Sequence, residues 1–214
     1  MAKVYGNPIS LLFSGKLGNM VGTIRNGKQY IRSLPKKSSK EPTAKQIAHR
    51  ARFCFASNFI RSIRPIIQIG YNPSRGSKYT SPYNMAMACL MKNVVTGEYP
   101  DFSIDFKNLE LSPNKSARLR KATIKKGRKN IKFKWKLWNK DEYDINRHKI
   151  TMIGITEEHQ LFYSDSNIMQ EDQKGRLAVP NIKTGTNVYC YIAKTDMKDK
   201  QRFSGCSYIG VVKW

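Results

Sequence analysis

Between Lys115 and Lys136 the chain carries eleven basic side chains and no acid: Lys115, Arg118, Arg120, Lys121, Lys125, Lys126, Arg128, Lys129, Lys132, Lys134 and Lys136. Lys132, Lys134 and Lys136 alternate with Ile131, Phe133, Trp135 and Leu137, so on a strand they project from one face. A cationic stripe of this kind can follow a phosphate backbone, with binding driven by the release of condensed counterions. The same lysines can equally form a solvated sheet face that protects an edge from aggregation.

A second basic group is carried by Val21-Gly22-Thr23-Ile24-Arg25-Asn26-Gly27-Lys28-Gln29-Tyr30-Ile31-Arg32. Asn-Gly between two β-type runs signals a two-residue hairpin turn, because both turn positions need positive φ. That turn pairs Arg25 with Lys28, Thr23 with Tyr30 and Val21 with Arg32. It places Arg25, Lys28 and Arg32 around Tyr30 on one face, while Gly22, Ile24, Gln29 and Ile31 are expected to pack inward. The basic face suits stacking on a nucleic-acid base, contact with an acidic neighbouring subunit, or simple shielding of the sheet by Tyr30. Just upstream, Gly15, Lys16, Gly18 and Asn19 lie in a glycine-rich stretch read as a subunit contact.

Enzyme motifs are weaker. Ser33-Leu34-Pro35-Lys36 matches S-x-x-K and Lys183-Thr184-Gly185 matches K-T-G, the pair of penicillin-recognising enzymes. That chemistry needs the serine to open a helix, which Pro35 and the loop after it oppose. Cys54, Cys89, Cys190 and Cys206 form no C-x-x-C pair, and His49, His148 and His159 do not cluster with them. Reduced, structural thiols are expected, not a zinc site. Asp141, Glu142, Asp144, Glu157 and Glu158 could hold a nuclease metal but read better as solvated loops. No catalytic group, metal or cofactor is expected, and helix-turn-helix, zinc-finger, RRM and KH signatures are absent.

The elements that position these residues follow from period and punctuation. Thr43-Ala44-Lys45-Gln46 reads as a capping box opening an amphipathic helix through Ile47, Ala51, Cys54, Phe55, Phe59 and Ile63, broken or kinked at Pro65. Ser81 as N-cap, Pro82 in the first turn and Gly97 as stop bracket a second, mostly buried helix, with Met85, Met87 and Met91 as core filling. From Asp101 the period falls to two. Strands are expected over Phe102–Phe106, Ile131–Leu137, Ile150–Ile155, Gln160–Tyr163, Asn187–Lys194 and Ser207–Val212. Lys125 to Asn130 reads as a turn. The pattern implies a seven-stranded sandwich of immunoglobulin or fibronectin type.

The whole chain has 214 residues, 39 Lys+Arg against 15 Asp+Glu, a formal charge of +24 and a pI of about 10.0. With 40% hydrophobic and 11% aromatic residues it is not a disordered chain. Four cysteines and 14 glycines exclude disulfide-scaffold and collagen-like classes. The N-terminal residues do not form a secretory signal, and no stretch approaches a membrane span, so a cytoplasmic protein is expected.

Gly15-Lys16-Leu17-Gly18-Asn19, Asn26-Gly27-Lys28, Ile31-Arg32-Ser33-Leu34-Pro35, Thr43 and Gln46 together carry a family resemblance. Tyr99-Pro100-Asp101-Phe102-Ser103-Ile104-Asp105 and Ser207-Tyr208-Ile209-Gly210 add to it. On these motifs the chain resembles an uncharacterised protein family of Bacteroidetes. The resemblance implies a glycine-rich N-terminal segment, a helical middle and a C-terminal β-sandwich. It brings no catalytic residue, cofactor or partner.

The expectation is therefore an α+β protein, with a basic hairpin-and-helix domain over residues 1–100 and a β-sandwich over 101–214. Functionally it reads as a non-enzymatic structural or adaptor subunit of a larger assembly, a phage-like particle being one candidate. Its partners would be protein subunits in an oligomer, and DNA or RNA. The alternative is a sequence-nonspecific nucleic-acid-binding protein.

Overall fold

The computed structural model describes residues 3–5, 12–25, 28–36, 40–72, 81–113, 119, 121–136, 148–164, 168–180, 182–196 and 202–214. Backbone contacts divide the chain into two compact units, Met1–Thr43 and Ala44–Trp214. The boundary expected near residue 100 falls inside the second unit.

The first unit is a four-stranded antiparallel meander, β1 (Lys3–Tyr5), β2 (Leu12–Leu17), β3 (Met20–Arg25) and β4 (Lys28–Ser33), in sequential order. The β3–β4 register is the one the hairpin chemistry dictates, with Val21 opposite Arg32, Thr23 opposite Tyr30 and Arg25 opposite Lys28. The glycine-rich stretch before it is a second hairpin. Leu17 pairs with Met20 across Gly18-Asn19, and Gly18 adopts φ 55°, a turn conformation that favours glycine. The expected inward face is corrected in part. Gly22 is buried because the Phe13 ring lies against it, but Ile31 is 55% exposed. Pairing alone cannot reveal whether a second layer covers a sheet.

In the second unit α1 (Ala44–Ser62) is followed after Ile63 by α2 (Arg64–Gly70), with Pro65 in the first turn, where its missing N–H leaves no intrahelical bond unmade. Helix α3 (Pro82–Asn93) is N-capped by Ser81, whose hydroxyl accepts from the Asn84 amide at 3.2 Å. The expected stop at Gly97 is corrected. The helix ends at Asn93, and Gly97 (φ 87°) belongs to a two-stranded ribbon of β5 (Val95–Glu98) and β6 (Asp101–Ile104).

Two further sheets form the β-rich part. One is three-stranded, in the order β11 (Lys174–Ala178), β8 (Asn130–Lys134), β7 (Thr123–Lys126). The other runs β10 (Leu161–Tyr163), β9 (His148–Thr156), β12 (Asn187–Asp196), β13 (Phe203–Lys213). All their pairings are antiparallel. The larger sheet is buried on both faces. Ile150, Met152, Val188, Cys190, Ile192 and Val212 pack with Ile131, Phe133, Trp135 and Leu177 of the smaller sheet. Ile153, Ile155, Tyr191, Ala193 and Phe203 pack with Phe59, Ile60, Ile63, Ile67 and Leu90 of the helices. Burial on both sides explains why Ile150-Thr151-Met152-Ile153-Gly154-Ile155 shows no clean alternation. The helices and the larger sheet share a core.

Two tyrosine hydroxyls and an indole N–H tie this core to backbone carbonyls. Tyr191 donates to Phe106 O at 2.6 Å, Tyr71 to Glu110 O at 2.7 Å, and the Trp135 indole to Gln170 O at 2.8 Å. Gly70 closes α2 directly against the Leu111 carbonyl, with the Phe203 ring beside it. Gly70→Ala would raise helix propensity by about 1 kcal/mol, yet the methyl group meets fixed backbone. The expected result is a net loss of about 1–3 kcal/mol, read as a lower urea midpoint with unchanged m-value.

Candidate polyanion interface

The three-stranded sheet packs one face into the sandwich and leaves the other open. Across β7, β8 and β11, Lys125, Lys132 and Arg176 stand opposite one another in one row, and Thr123, Lys134 and Lys174 in the next. All six are exposed, while Ile131, Phe133 and Leu177 between them are buried. A third row of that face is Asn130 opposite Ala178, so five of its eight positions are cations drawn from three strands. They surround a shallow depression of about 490 Å³ floored by Phe133 and Gly175. Among the described residues none of the five is engaged in an ion pair. Asp172, two residues before Lys174, is occupied in accepting from the Met169 amide at 2.8 Å.

Like charges directly opposite on adjacent strands destabilise a sheet by about 0.2–1 kcal/mol per pair. Burial of Ile131, Phe133 and Leu177 contributes about 1.5–3 kcal/mol each, so packing outweighs the repulsion and the cations are held close together.

The structure separates the sequence-derived basic residues into groups. Lys125, Lys132 and Lys134 lie on the face; Lys174 and Arg176 join them from a strand some forty residues away that the sequence reading did not recognise. Lys126 turns to the other side, its Nζ 5.5 Å from the centre of the Trp214 ring. The expected turn over Lys125–Asn130 is corrected to a shorter one. Lys125 and Lys126 belong to β7, and the Gly127 amide donates to Asn130 O at 2.8 Å, leaving Arg128 and Lys129 exposed at the tip. Lys121 is exposed before β7, and Lys136 beyond β8. Lys115, Arg118 and Arg120 lie outside the described residues, as do Asn26, Gly27, Asp141, Glu142 and Asp144.

In the N-terminal meander, Tyr30 is 57% exposed between exposed Lys28 and Arg32. Register adds Lys16 to this face, since Lys16 pairs with Val21 and Val21 with Arg32. Gly15 pairs with Gly22 on the opposite face, and Gly18 and Asn19 form the turn. Arg25 occupies its expected strand position.

Burial shifts the titration of several groups in the core. Burial pushes the Cys190 thiol up to about 12 and raises the Tyr71 and Tyr191 hydroxyls well above their ordinary value. Burial against the Phe59 ring, 4.9 Å away between centroids, lowers His159. Cys54 is exposed, which corrects its expected place on the buried helix face, whereas Cys190 is buried as expected. Among the described residues no group of three His, Cys, Asp or Glu side chains could hold a metal ion, and no helix is long and apolar enough to cross a membrane.

No curated protein and no solved structure matches the chain. A family model does, over residues 12–210 and thus through both units and the cationic sheet face. The chain belongs to DUF6266, a family of unknown function.

Proposed function

We propose that the protein is a non-enzymatic structural or adaptor subunit of a larger assembly, and that the outer face of β7, β8 and β11 is its contact with a polyanion. The observation that carries this reading is the convergence of Lys125, Lys132, Lys134, Lys174 and Arg176 on one exposed sheet face that, among the described residues, carries no acid on its three strands. A solvated edge-protecting surface needs only a scattered lysine or two. Five cations set in opposed rows maintain repulsion that a bound polyanion would relieve.

The subunit role draws support from the N-terminal meander. Leu17 and Met20 are 52% and 47% exposed and share a sheet face with exposed Ile31, an apolar surface on a strongly charged protein. Strand order supports an immunoglobulin-like sandwich of fibronectin type. The first, second and fifth sandwich strands form one sheet, and the third, fourth, sixth and seventh the other. Such modules serve widely as spacers and docking units, so this support is by analogy.

The reading is tested by the affinity of the full chain for heparin or duplex DNA as salt is raised from 50 to 300 mM. A steep, linear fall of log affinity with log salt is expected. Absent or salt-insensitive binding would remove the polyanion contact. The second reading, a free sequence-nonspecific nucleic-acid-binding protein, rests on the same face and differs in its oligomeric state. It predicts a monomer at all concentrations by light scattering.

A further inference from the structure

We infer that the polyanion on this face is a nucleic-acid duplex, held along its phosphate backbones without base contact. The inference rests on the polyanion reading above and names the class of partner.

Three classes compete for such a face. Single-stranded nucleic acid is held by a basic groove together with aromatic side chains on which bases stack. Here the aromatics in and just after β8 lie inward, Phe133 and Trp135 being 1% and 2% exposed, and the outward positions of the three strands are Thr123, Lys125, Asn130, Lys132, Lys134, Lys174, Arg176 and Ala178. A stacked base would find no platform. Protein partners are gripped by aromatic or apolar anchors at a core from which lysine is depleted. Among the described residues this face offers four lysines, no aromatic or apolar anchor, and Arg176 alone of the hot-spot types. Duplex interfaces, in contrast, are polar and strongly positive, and most of their contacts go to phosphate and sugar.

The layout of the cations favours the same class. Neighbouring strands lie about 4.8 Å apart, and outward residues on one strand about 6.8 Å apart, so the five charges form a two-dimensional patch instead of a thread. A duplex presents one charge per about 1.7 Å of axis, twice the density of one strand. Four of the five cations are lysines, point charges that tolerate any phosphate orientation, and only Arg176 has the fork that reads a guanine edge. Binding should therefore be indifferent to sequence.

The test is fluorescence anisotropy of the full chain with a mixed-sequence DNA duplex and with each of its separated strands, for wild type and for Lys132→Gln/Lys134→Gln/Arg176→Gln. Each lost phosphate contact shallows the duplex salt slope by about 0.9. The triple variant should thus lose about 2.7 in slope and roughly 500-fold in duplex affinity at 0.1 M salt. Its loss for single strands should be at least tenfold smaller, and a scrambled duplex should bind as well as the original. Lys132→Arg/Lys134→Arg should retain duplex binding, and circular dichroism of each variant confirms folding. A single-strand loss equal to or larger than the duplex loss would overturn the inference while leaving the polyanion reading in place. So would a variant-sensitive affinity for heparin with no affinity for duplex. Unchanged affinity of the triple variant for duplex, single strand and heparin alike would remove both.

Discussion

Phe59→Ala should lower the stability of the whole second unit by about 3–5 kcal/mol, and it should do so in a single transition reported equally by helix and sheet signals. Phe59 is fully buried, with its ring 6.0 Å from Phe106 and 4.9 Å from His159 in edge-on contacts. It belongs to the core that joins α1, α2 and α3 to Ile153, Ile155, Tyr191 and Ala193 of the central sheet. Truncation removes transfer energy and leaves a cavity that the flanking sheet cannot close. Far-ultraviolet dichroism follows the helices, and tryptophan fluorescence follows Trp135, Trp138 and Trp214, all three of which lie within residues 101–214. Coincident melting of both in the variant is expected. A helical transition displaced from an unchanged tryptophan transition would show that residues 44–100 and 101–214 fold separately.

The second large effect has opposite signs on two readouts. Neutralising Lys132, Lys134 and Arg176 to glutamine should weaken heparin binding by roughly two orders of magnitude at 0.1 M salt. The same change should leave thermal stability equal or raise it by about 0.2–1 kcal/mol for each relieved like-charge pair. Lys132 stands opposite Lys125 and Arg176, and Lys134 opposite Lys174, so three opposed pairs are affected. Were these cations structural, their removal would destabilise the sheet. The calorimetric midpoint therefore separates a binding role from a folding role.

Much of this fold was legible in the residues wherever local chemistry decided it. The β3–β4 register is the one read from the Asn-Gly pair in the sequence, Ser81-Pro82 opened α3, and the alternation of Ile131, Phe133 and Trp135 with lysines located β8. Long-range context decided the rest. Strand β7 was hidden inside a basic run because two of its four residues are lysines on an edge. Strand β11, Lys174-Gly175-Arg176-Leu177-Ala178, is too short and too poor in β-branched residues to stand out. The site was half legible for the same reason. Alternation shows that Lys132 and Lys134 share a face, but only the β8–β11 pairing brings Lys174 and Arg176 beside them. Conversely, the charge of Lys126 was plain, whereas its departure toward Trp214 depends on where the C-terminal strand ends.

These details narrow the meaning of a formal charge of +24. Net charge alone attracts any polyanion weakly and from all sides, whereas a built face localises the attraction. A matched-charge comparison measures that difference directly. In one variant Lys125, Lys132, Lys134, Lys174 and Arg176 become glutamine. In the other, five exposed cations elsewhere, Lys36, Lys45, Arg50, Lys92 and Lys107, become glutamine. The two proteins carry the same net charge, and heparin and duplex affinities are measured for both at 0.1 M salt. The account predicts that the first variant loses nearly all affinity while the second stays within a few-fold of wild type. Equal losses in the two variants would contradict it.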